Sequence, residues 1–292
     1  VLQARASLKP RDADPEAVVI KMSWLVPQRL SKAALIVALI TSLTMTISPA
    51  QAAATPPQRE QLTYSVSYNG ARVAAVQLHS GCPAKTYRPM ALVATSVGLL
   101  DAVVTSFLIR FDTFLGLTDA TPHEAHSKIT EDGATRTYRT TFRPALTPRV
   151  RSSVRGQDYD WRLPALPARP HDMISWMYAL REDQALKSDT RRRMLVWDGW
   201  KLFWLDMRAA RPASLTTPAG RFDALPISLT RQRIHHDGDA PTRLFKPSRD
   251  PEPLGILWLR DDARRTPVGI DFASPIGAVI VRLERAQLTP CD

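Results

Sequence analysis

The sequence is poor in cysteine, poor in lysine after residue 52, and without a long apolar run. Only 2 of its 292 residues are Cys, and neither lies in a C-x-x-C pair, which argues against thiol redox catalysis. The one sustained apolar stretch, Ala33 to Leu43, is shorter than the roughly 20 residues that a membrane-spanning helix needs. G-x-S-x-G and S-x-x-K nucleophile patterns are missing, and the chain after residue 52 has no G-x-G-x-x-G phosphate loop. No repeat of fixed period is visible. These absences exclude the common sequence-readable enzyme classes, and no catalytic residue and no cofactor are expected. A carboxylate pair that converges only in space leaves no such trace, so a hydrolase of envelope polymer stays open as a lesser alternative.

What is present begins with an address. Residues 22–52 open with Met22, carry Arg29 and Lys32, continue through the apolar Ala33–Leu43 and end in Ala50-Gln51-Ala52. That is the three-part layout of a secretory signal peptide, with cleavage after Ala52. No Cys follows the cleavage point, which argues against a lipid anchor; retention as an uncleaved anchor is the alternative. Residues 1–21 fit no targeting pattern and read as an upstream extension, non-native or disordered. The expected location is the periplasm, with membrane contact only in transit.

The mature chain, 53–292, is long enough to bury a real core. Of totals of 39 basic and 28 acidic residues, 6 and 3 precede Ala53, leaving 33 and 25 and a net charge of +8. Only five of those 33 are Lys, so the excess is Arg. Export turns this charge away from nucleic acid and toward envelope anions. The bland alternative is scattered, solvated arginine. Two lone cysteines in an oxidising compartment commonly pair. A Cys82–Cys291 bond is therefore expected, with two free thiols as the alternative.

The mature sequence is a series of short alternating segments broken by turn residues, the pattern of an all-β fold. Leu62–Tyr68 and Val73–His79 flank Asn69-Gly70, a hairpin turn signal. Ile109–Leu117, Glu124–Thr130 and Ala134–Phe142 read as a meander. Residues 144–170, rich in Pro and Arg, read as a connector with one strand near Tyr159–Leu163. Asp172–Asp183 is the best helix: Asp172 can cap it, and Ile174, Met177 and Tyr178 share one face. A single amphipathic helix in such a protein plugs or covers a barrel end. Beyond it, Asp198-Gly199 is expected to set Trp197 opposite Trp200. Strands then follow to Gln287, interrupted by a polar loop over 236–253. The expected architecture is mainly antiparallel, barrel-like β with one short helix. Two modules, 59–163 and 190–288, joined through helix 172–183, are one arrangement of it.

The most distinctive local pattern is Trp258-Leu259-x-Asp261-Asp262-x-Arg264-Arg265-x-Pro267-Val268. Its two carboxylates and two guanidiniums could form an anion site or an acid/base pair. A charged turn, in which Asp accepts backbone N–H bonds, is the plainer reading. Pro267 suits a strand start. This segment resembles the most recognisable signature of the bacterial envelope family called domain of unknown function 3108. Leu62-Thr-Tyr64-x-Val66-x-Tyr68-Asn-Gly70 is similar to that family's opening, Asp172-Met-Ile-Ser175-x-x-Tyr178-x-Leu180-Arg181 to its central helix, and Ala219–Ala224 to its Gly-x-Phe hairpin. The resemblance covers nearly all of 60–288. It implies an exported, antiparallel, barrel-like protein and no catalytic residues. The Cys pair and the Arg excess depart from the family pattern.

Metal binding is not expected. His123 and His126 fall on opposite faces of a strand, adjacent His235 and His236 diverge, and zinc wants three or four converging ligands. Trp200, Phe203 and Trp204 form the densest aromatic cluster, either core or a platform for a sugar or acyl chain. The ligand candidates are thus Trp200, Trp204, Arg264 and Arg265. The expected role is non-catalytic binding of an amphipathic or anionic envelope ligand, a lipid or an anionic glycan. A structural or assembly role, with an envelope protein as partner, is the alternative.

Overall fold

The computed structural model describes residues 58–98, 106–142, 147–163, 166–199, 201–234, 250–272 and 277–291. The signal segment, the cleavage point after Ala52, Trp200, His235, His236 and most of the loop expected over 236–253 lie outside them.

Fifteen strands and one helix make up the described chain. They are β1 (Gln58–Tyr68), β2 (Ala71–Ser80), β3 (Tyr87–Ser96), β4 (Phe107–Gly116), β5 (Pro122–Glu131), β6 (Ala134–Thr141), β7 (Arg149–Val154) and β8 (Gln157–Arg162). The helix α1 (Ser175–Glu182) follows, then β9 (Arg191–Trp197), β10 (Leu202–Ala209), β11 (Ala213–Thr217), β12 (Gly220–Arg233), β13 (Glu252–Arg260), β14 (Pro267–Phe272) and β15 (Val279–Pro290). All belong to one antiparallel sheet in the order β8-β7-β6-β5-β4-β3-β2-β1-β15-β14-β13-β12-β10-β9, with β11 paired to β12 off that path. Strand β1 pairs with β2 on one side and β15 on the other, so the two expected β halves meet in one continuous sheet.

The hairpins follow from local chemistry. Asn69-Gly70 and Asp132-Gly133 both sit at positive φ, as a two-residue hairpin turn requires. Arg155-Gly156 makes the same turn between β7 and β8. The connector expected over 144–170 is therefore corrected to a hairpin within it. Arg at the first turn position hid the signal, because it lacks the preference of Asn and Asp for positive φ.

The β9–β10 connection also departs from expectation. Trp197 pairs with Leu202, so the connection is longer than the two-residue turn expected, and Trp200 lies outside the described residues. Asp198 drives this: its N–H donates to the Lys201 carbonyl, and its carboxylate accepts the Lys201 N–H at 2.5 Å.

The sheet curls until its ends meet. Trp197 on β9 donates its indole N–H to Thr140 on β6 at 2.9 Å. Leu195, Trp197 and Leu202 pack with Val150, Trp161 and Leu163 from the opposite end of the strand order. The free edge of β9 is covered by backbone hydrogen bonds with His171. Inside the curl lies α1. Ile174, Met177, Tyr178 and Leu180 join Leu62, Leu205, Ile227 and Leu257 in one core. The helix thus fills the barrel-like interior, as its amphipathic pattern suggests.

Asp172 fixes the helix start: its Oδ1 accepts the N–H of Ile174 and Ser175, and Ser175 Oγ accepts the Asp172 N–H at 2.8 Å. This is the reciprocal logic of a capping box. Its Oδ2 accepts the Thr113 hydroxyl from β4 at 2.5 Å, tying cap to sheet.

Gly255 marks the tightest point of the sheet. It has φ +146° beside a register shift between β12 and β13, and an added Cβ would fall 2.0 Å from the Asp271 carbonyl oxygen. Gly255→Ala is expected to cost about 2–3 kcal/mol, from a glycine-only backbone region and the clash together. Urea denaturation reads it; an unchanged midpoint would refute the strain.

Candidate functional site

One rim of the sheet gathers strand ends from both halves of the sequence. The N-terminal end of β1 lies between the C-terminal ends of β2 and β15: Glu60 faces Ser80 on one side and Leu288 on the other. Ser80 in turn faces Met90 of β3, and Arg88 stands two residues before Met90 on the same face of the sheet. Cys82 and Cys291 are joined in a disulfide with Cα atoms 5.7 Å apart, which staples β2 to β15 over the start of β1.

The end of α1 descends onto this rim. Arg181 forms a two-point ion pair with Glu60, Nη1 to Oε2 at 2.7 Å and Nη2 to Oε1 at 2.9 Å. Both side chains are about nine-tenths buried. Tyr178 donates its hydroxyl to Glu60 at 3.0 Å, and the Arg181 guanidinium lies 4.6 Å from the Tyr178 ring centroid. Burial alone would push the Glu60 carboxyl up, but the hydrogen bonds and charge of Arg181, helped by Tyr178 and Arg264, hold it below its ordinary value of 4.5. Glu60 is therefore an ionised, fully engaged carboxylate rather than a proton donor in waiting.

The turn after β13 completes the arrangement. Asp262 Oδ1 accepts the N–H of Arg264 and of Arg265 at 3.0 and 2.9 Å, and its other oxygen pairs with Arg260 at 2.9 Å. Arg265 sits at φ +47° and sends its guanidinium back to the carbonyls of Asp183 and Leu186, just beyond the helix. A cation there complements the helix dipole and satisfies orphan carbonyls. Arg181 Nε donates to the Arg264 carbonyl at 3.3 Å, and Tyr64 donates to the Pro267 carbonyl at 2.9 Å. The Asp-Asp-x-Arg-Arg-x-Pro pattern is thus a clasp that receives the helix end. Asp261 contributes its backbone, through an N–H to the Asp223 carbonyl. Pro267 opens β14, as its missing N–H suits.

A cleft of roughly 540 Å³ opens between clasp, helix end and strand ends. Glu60 and Arg181 form its floor, and Ser80, Arg88, Arg264 and Leu288 stand among its walls. The Arg88 Nε is buried without a hydrogen-bond partner among the described residues, and the buried Ser80 hydroxyl lies against the Tyr178 hydroxyl. Neither Arg88 nor Arg264 has a carboxylate partner among the described residues.

The ligand candidates read from sequence separate in space. Arg264 lines the cleft, whereas the Arg265 guanidinium is spent on the helix end. Trp204 lies on β10, packs beside the smaller core cluster and carries the Arg193 guanidinium 4.9 Å from its ring centroid. Trp258 bridges to Asp271 on β14 at 2.9 Å, and Asp271 pairs with Arg282 on β15. Glu60, Ser80 and Arg88 escaped the sequence reading, because each is an ordinary polar residue at a strand end with no neighbour in sequence to mark it.

Residues 63–284 match the family model described as "Protein of unknown function (DUF3108)". The chain belongs to the DUF3108 family. The clasp, the central helix and the opening hairpin, which resemble that family's motifs, are the parts that hold this rim together. No curated protein matches the chain. A β-barrel-like protein of the domain of unknown function DUF1849 from Brucella abortus is similar in fold, with a TM-score of 0.51 at 8% identity, over 80% of this chain and 98% of that one. A protein described as a candidate lipoprotein from Parabacteroides distasonis matches with a TM-score of 0.31, at 8% identity, over 80% of this chain and 96% of its own. A candidate exported protein with a YmcC-like fold from Bacteroides fragilis matches with a TM-score of 0.28, at 9% identity, over 78% and 95%. The last two carry no argument at those scores. The first supports the DUF3108 chain's barrel-like fold and nothing about its task.

Proposed function

We propose that this DUF3108 protein is exported to the periplasm, released after Ala52, and binds an anionic envelope component without chemically changing it. The observation that carries the reading is the cleft at the helix end, where Arg88 and Arg264 stand without carboxylate partners over a floor whose own charges cancel. A guanidinium presents a fixed fork of donors suited to phosphate or carboxylate. The amphipathic variant of the expectation finds less support. Helix α1 occupies the interior, the cavity lined by Thr113, Thr140 and Asp172 is about 20 Å³, room for one water rather than an acyl chain, and the wider cleft of roughly 770 Å³ over β4–β8 is lined mainly by charged and polar side chains such as Arg110, Lys128, Arg139 and Asp158. Non-catalytic action is favoured because the cleft's buried carboxylate is held ionised by Arg181 and accepts from Tyr178 as well. Export is favoured by the layout of residues 22–52 and by the Cys82–Cys291 bond, since disulfides persist in oxidising compartments.

The full chain, produced in a Gram-negative host, should be recovered from the periplasmic fraction with Ala53 at its N-terminus. Native mass spectrometry of that material should find a bound anionic glycan or lipid. The double variant Arg88→Gln/Arg264→Gln should retain at least about tenfold less of it, since each lost contact is a charge-assisted pair. Equal retention by the variant would remove the cleft from the function. A cytoplasmic product with an intact residue 22–52 segment would remove the export reading.

A further inference from the structure

We infer that the end of β15, residues 285–290, is a docking edge that takes an extended acidic segment of another protein as an added strand. The inference is independent of what the cleft retains. Strand β15 pairs with β1 along its whole length, from Val279 opposite Tyr68 to Pro290 opposite Gln58. It pairs with β14 only over residues 279–282. Strand β14 starts at Pro267, which has no N–H to carry the ladder further, and the chain before it turns away into the clasp, where the Arg260 N–H donates to the Thr266 carbonyl. The Leu283 carbonyl accepts from the Ala219 N–H. Beyond that point residues 285–290 have no backbone partner on this side among the described residues, and all six are exposed. Alternate N–H and C=O groups of a strand paired on one side only point outward, ready to pair with another chain.

Other edges of the sheet are guarded. The edge of β9 is covered by the His171 backbone, β8 carries Asp158, Asp160 and Arg162 at alternate positions, and β11 is only 5 residues long. Cover, charge and shortness are the usual means by which an edge avoids pairing. Residues 286–289, Ala-Gln-Leu-Thr, have none of them. The strand end is also held in place, because Cys291, directly after Pro290, is bonded to Cys82. An edge already ordered loses little entropy when a partner binds.

The two faces of the edge specify the occupant. Through the β1 register, Ala286 and Leu288 share a face with Leu62 and Glu60, and Leu288 is 43% exposed where it borders the cleft. Arg285 and Thr289 lie on the opposite face, with Arg59 directly across from Thr289. Both arginines are exposed, and neither has a carboxylate partner among the described residues. Their neighbouring carboxylates are engaged, Glu60 by Arg181 and Glu284 by Arg72. The exposed Glu182 lines the cleft, on the side of Leu288 rather than of the arginines. Cross-strand neighbours on one face of a sheet contact each other directly. A segment that alternates apolar and acidic residues therefore fits: its apolar side chains cover Ala286 and Leu288, and its carboxylates meet Arg285 and Arg59. Main-chain hydrogen bonds to the edge supply affinity, and the alternating side chains supply selectivity.

The test uses the purified protein with its disulfide intact and four short end-blocked peptides: alternating Glu and Val, alternating Lys and Val, and two forms of the first that are N-methylated at every Glu or at every Val. Titration calorimetry reads affinity, and amide hydrogen exchange followed by NMR reads the place. The Glu peptide should bind saturably and slow exchange at alternate amides within residues 285–289. The Lys peptide should bind about threefold more weakly, and Arg285→Glu should reverse that preference at an unchanged urea midpoint, as suits an exposed charge. One N-methylated form should fail to bind and the other should bind like the parent peptide, because only one set of N–H groups faces β15. Equal binding by both N-methylated forms, or no slowing of exchange at residues 285–289, would overturn the added strand. Slowing that follows protein concentration without peptide, together with a dimer in sedimentation, would overturn the acidic partner and put a second copy of the chain on the edge.

Discussion

Arg181→Ala is expected to destabilise the folded chain by about 3–5 kcal/mol, because it leaves Glu60 buried and ionised with only the weaker influence of Arg264 to compensate it. The loss should show as an earlier urea midpoint at neutral pH. The sign of its pH dependence is diagnostic. In the native chain Glu60 titrates below its unfolded value of 4.5. Its contribution to stability is therefore complete above that value and lost as pH falls through the lower folded value. Without Arg181, burial is the dominant influence left on Glu60, and it favours the protonated form. The gap between Arg181→Ala and the parent should then begin to narrow above pH 4.5, where the raised carboxyl of the variant takes up its proton, and close as pH falls through the lowered value of the parent. A gap that stays constant with pH would show that the substitution acts through lost packing on Tyr178 alone. Replacing both partners with apolar residues of similar size should recover much of the loss, as buried pairs often trade evenly for packing.

Breaking the Cys82–Cys291 bond is the second large effect. The bond closes a loop over a sequence separation of 209 residues. On the chain-entropy account a loop of this length is worth ~5 kcal/mol; removal of native disulfides typically costs 2–5. For a domain of this size each kcal/mol shifts the melting temperature by roughly 2–4 °C, so Cys82→Ser should melt roughly 10 °C lower. Reductant should lower the parent by the same amount and leave Cys82→Ser/Cys291→Ser unmoved. A parent that melts alike with and without reductant would argue that β1's ladders to β2 and β15 already hold the rim. The disulfide also ties together β2 and β15, two of the strands that line the cleft, so reduction should weaken ligand retention before it unfolds the sheet.

Much of the architecture is legible in the sequence because its signals are local. Alternation marks strands within a few residues, and Asn69-Gly70 and Asp132-Gly133 announce their turns through backbone preference alone. The helix is legible for the same reason: Asp172, Ile174 and Tyr178 lie within two turns of one another. Where the signal is carried by an uncharacteristic residue the reading slips. Arg155 occupies a turn position that favours Asn, so β7 is missed. Asp198 takes Lys201 as its partner, and Trp197 pairs with Leu202 rather than closing a two-residue turn.

The sequence by itself determined that this is an alternating, antiparallel chain with one amphipathic helix, an export-like leader and a charged pattern around Asp261–Pro267. Each of those depends on neighbours in sequence. Only the tertiary structure decided what the charges do. Arg265 looks like Arg264 in sequence, yet the turn made by Asp262 sends one guanidinium to the helix end and leaves the other in a cleft. Glu60 and Arg181 stand 121 residues apart and meet because β1 and the helix end share a rim. The physical reason is range. Backbone preference acts over two to four residues, whereas desolvation and charge pairing act only where the closed sheet brings side chains together.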